Sequence, residues 1–114
     1  MIAKRQMISI AVGDGKGGIE PMPIMASVYD DTYAVHPTAS SNCKTWSVTH
    51  VPTGFSLIGV WHPKKMQAHS LARHYADHAP SLGSFQFSFG VTPDPAFTSG
   101  MTTIKLNWID GGAK

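Results

Sequence analysis

One stretch limits the fold more than any other. Between Pro63 and Pro80 the residues Ala68, Leu71, Ala72, Tyr75 and Ala79 recur every three or four positions. That is the period of a single helix face, with Met66 at its edge. Proline is tolerated at the first helical position, so His62-Pro63 begins this helix, and Pro80 stops it. The stripe is narrow and mostly alanine. Such a helix buries little by itself and lies close on a flat apolar surface, which the remaining segments must supply as a sheet.

Those segments read as strands. Met7–Val12 is apolar and β-prone, and the glycine-rich 13–18 segment (GDGKGG) follows it as a loop. A strand around Ile24–Tyr29, a turn at Asp30-Asp31 and a strand over Thr32–Val35 come next, and then a polar loop over 36–44. In 45–51 (TWSVTHV) one face takes Trp46, Val48 and His50, and the other takes Ser47, Thr49 and Val51. The 52–54 segment (PTG) supplies hairpin chemistry, with 55–61 (FSLIGVW) as the returning strand. After the helix, Phe85, Phe87, Phe89 and Val91 alternate with polar or small residues. The 92–100 segment reads as a loop, and Ile104, Leu106 and Trp108 alternate as a last strand.

The expectation is therefore an α+β fold, mainly an antiparallel sheet of about six to seven short strands, packed against one helix at about 63–79. The 1–114 chain shows no internal repeat or linker and is expected to form a single domain. Its apolar fraction of 42% against 14% charged residues excludes a disordered chain. Met7–Val12 is too short for a secretory core or a membrane span, so a cytoplasmic protein that avoids the membrane is expected.

The formal charge of +2 is far from that of a dedicated nucleic-acid binder, but it is unevenly spread. Lys44, Lys64, Lys65 and Arg73 face only Asp77 within residues 44–78, while the flanking segments are nearly balanced. Four of the six histidines fall between His62 and His78, and they would add positive charge below about pH 6.5.

Catalytic and metal chemistry find little support. His74 and His78 stand four residues apart, a spacing used by helical zinc pairs. No glutamate lies between them as a zinc protease requires, and near a helix C-terminus histidines suit the dipole without a metal. No metal and no cofactor are expected, with His74 and His78 the candidates if one binds. The GDGKGG loop lacks the P-loop spacing. Cys43 is the sole cysteine, excluding an intrachain disulfide, and no oxyanion or elbow motif surrounds it. Asp30 and Asp31 are turn residues rather than a catalytic pair. The three phenylalanines lack the basic and glycine positions of an RNA-binding sheet and read as core.

One basic stripe remains. Lys65, His69 and Arg73 recur every four residues opposite the buried stripe, with Lys64 beside them. Such a stripe meets phosphates or an acidic protein surface.

Residues 45–79 resemble the strand–turn–strand–helix core of AP2-type and integrase-arm-type DNA-binding domains. The resemblance is carried by Trp46, Gly54, Ile58-Gly59-Val60-Trp61, and Ala68, Ala72 and Tyr75 on the helix. It implies a sheet that enters the DNA major groove, for which this chain offers Lys44, Trp46 and His50.

The leading expectation is a small non-enzymatic binding protein that meets its partner through Lys44, Trp46, His50, Lys64, Lys65, His69 and Arg73. Its partner would be a host protein or a protein–nucleic-acid complex. Its setting would be that of a phage or mobile-element accessory factor inhibiting host defence, in the manner of anti-CRISPR proteins. The alternatives are direct DNA or RNA binding by the 45–61 hairpin and the basic helix, and a histidine-based metal protein or small enzyme.

Overall fold

The computed structural model describes residues 3–13, 15–37, 46–57 and 64–110. The elements run β1 (Lys4–Gly13), β2 (Ile19–Tyr29), β3 (Tyr33–Pro37), β4 (Trp46–His50), α1 (Lys65–His78), a 3-10 turn (Ala79–Leu82) and α2 (Pro95–Asp110). The strands form one antiparallel sheet in the order β1-β2-β3-β4. The β2–β3 turn places Asp30 and Asp31 at φ of 54° and 52°. Aspartate tolerates this left-handed region better than most residues, and Thr32 N–H closes the turn on the Tyr29 carbonyl at 3.1 Å.

The sheet curls. Leu57 N–H donates to the Val48 carbonyl at 2.8 Å and His50 N–H to the Phe55 carbonyl at 2.9 Å, laying 55–57 beside β4. Ala11 of β1, at the opposite edge, donates its N–H to the Gly54 carbonyl at 2.9 Å. The enclosed face buries Ile8, Ile10, Ala26, Val28 and Ala34. Gly54 makes the closure geometrically feasible. Its φ is +77°, and a Cβ there would lie 2.9 Å from the Ala11 nitrogen and collide with the Phe89 ring.

The other face carries Tyr29, Tyr33, Val35 and Val48 beneath α1, in one buried cluster with Phe97, Met101, Ile104 and Trp108 of α2. Helix α1 presents Ala68, Leu71, Ala72 and Tyr75, all fully buried, as its stripe predicts. Tyr75 spans the layer and donates its hydroxyl to the Leu57 carbonyl at 3.1 Å.

Four strands and two α-helices replace the expected six to seven strands and one helix among the described residues. The last expected strand is part of α2. Phe97, Met101, Ile104 and Trp108 form a helical stripe and are all buried, whereas Leu106 is half exposed. The preceding segment, expected as loop, begins this helix: Asp94 Oδ1 accepts from Ala96 N–H at 2.7 Å, with Pro95 in the first position. Trp108 Nε1 donates to Ser70 Oγ at 3.0 Å and ties α2 to α1.

The expected 84–91 strand is irregular. Phe85 and Phe87 are half-buried and meet the Phe97 ring at 5.5 and 4.8 Å, edge to face. In the expected 55–61 strand, Ser56 forms one isolated bridge to Thr49, and 58–61 lie outside the described residues. So do His62 and Pro63, the expected helix start, and Cys43. No helix among the described residues is long and apolar enough to cross a membrane.

Candidate partner interface

Two elements, α1 and β1, bring cations to one place, around aromatic rings from β4 and β2. From α1, Lys65, His69 and Arg73 stand on successive turns, with Lys65 and Arg73 exposed. From β4, Trp46 lies beneath them: Lys65 Nζ sits 5.1 Å from its ring centroid, a cation–π distance, and the His69 ring centroid is 6.4 Å away. From β2, Tyr29 places its hydroxyl 2.7 Å from His69 Nδ1, and Arg73 Nη1 donates to that hydroxyl at 3.4 Å. Arg5 on β1 pairs with Ser27 across the sheet and donates to Ser27 Oγ at 3.4 Å.

The electrostatics follow from this crowding. Burial lowers the proton affinity of His69, and Lys65, Arg73 and Arg5 lower it further. Among the described residues every charged group acting on the ring is cationic. With Arg73 donating to the Tyr29 hydroxyl and that hydroxyl donating on to Nδ1, a neutral His69 keeps an Nε2–H to donate elsewhere. The patch therefore offers two guanidinium groups, one ammonium and one imidazole N–H.

Lys64 extends this field at the N-cap of α1, where its N–H donates to Gln67 Oε1 at 2.9 Å. The first turn contains no acidic residue, so Lys64 and Lys65 oppose the helix dipole. Helix stability alone favours carboxylates at these positions.

The structure divides the residues named from the sequence. Trp46, Lys65, His69 and Arg73 come together, Lys64 adjoins them along the chain, and Lys44 lies outside the described residues. His50 is corrected: it is 1% exposed and cannot meet a partner surface. It shares the face of Trp46 and Val48, as the alternation predicts, but that face lies under the helices and His50 contacts Phe87 and Phe97. Ser47 and Thr49, on the opposite face of β4, are buried too, and Thr49 Oγ1 lies 2.7 Å from His36 Nε2. The described part of the hairpin thus has no exposed face with which to enter a groove.

Arg5 and Tyr29 are additions that sequence reading missed. Arg5 lies far along the chain from α1, and only strand pairing brings it near. His74 and His78 do lie side by side, with ring centroids 4.2 Å apart and the rings tilted by 45°, but no group of three metal-ligating side chains occurs among the described residues. Burial, and then His78, lower the proton affinity of His74.

No family model, no curated protein and no solved structure matches the chain.

Proposed function

We propose that this is a small non-enzymatic binding protein whose cationic patch, Arg5, Lys65, His69 and Arg73 around Trp46 and Tyr29, docks on an acidic protein surface. The single observation that supports the reading is the convergence of three exposed cations from two elements on one ring whose charged neighbours, among the described residues, are all positive. Clustering of like charge costs stability unless a partner of opposite charge neutralises it. The lysines at the start of α1 favour the same reading, because they also work against their helix.

An acidic protein fits better than bare nucleic acid. Tight duplex binding draws on roughly six to ten phosphate contacts, more than this patch offers. Lys65 covers the Trp46 ring and Tyr29 is 4% exposed, so neither aromatic face stands open for base stacking. In its most specific form the reading is that of an accessory factor of a phage or mobile element. Such a factor would inhibit a host protein, or a protein–nucleic-acid defence complex, by occupying its acidic surface.

The test compares wild type with a Lys65→Glu/Arg73→Glu variant in capture from nuclease-treated lysate of the source cell, with titration of a duplex DNA alongside. The expected result is one or more acidic proteins captured by wild type and lost in the variant, with only weak DNA binding. Capture that survives charge reversal would overturn the choice of surface. Capture abolished by nuclease, with tight salt-sensitive DNA binding, would replace the reading by direct nucleic-acid recognition.

A further inference from the structure

The buried His50 lies beside a cleft that the cationic patch does not use. The cleft, of about 420 Å³, opens between the end of β4 and α2. Phe55, Leu57, Phe97 and Met101 give it apolar walls, and Lys105 is the only charged residue among the described residues lining it. This is the size and composition of a small-molecule site: largely apolar, with a few polar groups.

His50 is one of those groups, and its hydrogen-bond account is incomplete. Thr53 Oγ1 donates to the His50 carbonyl at 3.4 Å and accepts from Phe55 N–H at 3.3 Å. The same hydroxyl lies 3.0 Å from His50 Nδ1, a contact to which either atom can give the proton. With Thr53 donating to the carbonyl, Nδ1 is the protonated nitrogen and Nε2 carries a lone pair. Burial pushes the imidazole pKa down to about 4, so the ring stays neutral at physiological pH. Nε2 is buried and has no partner among the described residues. Buried acceptors are rarely left in this state. In that tautomer the missing partner is a donor.

We propose that this cleft binds a small amphipathic carboxylic acid, with its apolar body between Phe97, Met101 and Leu57, a hydroxyl or N–H donating to His50 Nε2, and its carboxylate held by Lys105. The aromatic contacts of His50 with Phe87 and Phe97, at 4.5 and 5.0 Å between centroids, fix the ring that would receive the donor. Nothing in this proposal depends on the cationic patch or its partner.

The test uses three matched probes on the wild-type protein. Indole-3-acetate has an apolar body, an N–H and a carboxylate; 1-naphthaleneacetate lacks the N–H; tryptophol lacks the carboxylate. Binding is followed by NMR at the histidine ring nitrogens and the methionine methyls. The expected result is a saturable change at His50 Nε2 and Met101 with indole-3-acetate. Each of the other two probes should bind about fivefold more weakly, in keeping with loss of one hydrogen bond or one charge contact. Lys105→Met should remove the preference for indole-3-acetate over tryptophol while leaving the His50 tautomer signal in place. Equal binding of all three probes, or no saturable change at His50 with any of them, would overturn the proposal.

Discussion

His69 and His50 belong to the same layer, between one sheet face and the helices above it, yet their surroundings are opposites. His69 stands at the rim of the layer, with an exposed guanidinium and ammonium for neighbours and a tyrosine hydroxyl on Nδ1. His50 lies against Phe97 of α2 and Phe87, with one nitrogen that has no partner among the described residues. Both rings resist protonation, for different reasons. At His69 burial is joined by three cations, whereas at His50 burial acts alone. A depressed imidazole therefore marks two kinds of region here: one that repels positive charge, and one that excludes water.

The largest expected break in this contrast comes from Gly54, which closes the sheet next to Thr53 and Phe55. A Gly54→Ala variant forces a Cβ against the Ala11 backbone nitrogen and the Phe89 ring at a φ suited to glycine. Backbone strain and overpacking together should cost about 3 kcal/mol in denaturant unfolding. In the folded fraction the His50 ring signals should move while those of His69 stay in place. Equal movement at both rings would show that the two regions are one cooperative unit.

Acid gives the next effect. The unfolded chain protonates His50 near pH 6.5, while the folded chain resists down to about pH 4. The unfolded state thus binds more protons across that window, and stability present above pH 6.5 is lost as pH falls towards 4. His36 and His74 are lowered as well and add to the same slope. Between pH 7 and pH 4 wild type should lose on the order of 3 kcal/mol more than His50→Gln. Parallel pH profiles of the two proteins would mean that water reaches the ring.

The smallest effect sharpens the other side. Arg73→Ala removes one of the cations acting on His69, so the His69 pKa should rise while the His50 pKa stays fixed, both read by NMR titration. Global stability should change by less than about 1 kcal/mol, as for other exposed charges. A fall in the His69 pKa would show that Arg73 acts on it through Tyr29 rather than through its charge.

Much of the fold was legible where local chemistry and tertiary burial agree. The α1 stripe, the aspartate turn and the Trp46-Val48-His50 face all follow from spacing and turn residues. The last expected strand failed because 101–109 satisfies two periods at once. Ile104, Leu106 and Trp108 fit a strand, while Phe97, Met101, Ile104 and Trp108 fit a helix, and Thr102, Thr103 and Ile104 lean towards the former. The Asp94-Pro95 cap was the signal that could have decided it.

The site shows the same division. Sequence alone determined the Lys65-His69-Arg73 stripe, because residues four apart on a helix share a face whatever packs behind them. Only the tertiary structure decided that Arg5 and Tyr29 join it, since antiparallel pairing and the packing of α1 on the sheet connect residues far apart in the chain. Only the tertiary structure also separated Trp46 from His50. They lie on one face of one strand, but that face runs from the rim of the layer to its interior. Alternation says which side of a sheet a residue occupies. How deep the residue lies depends on the helix that covers it.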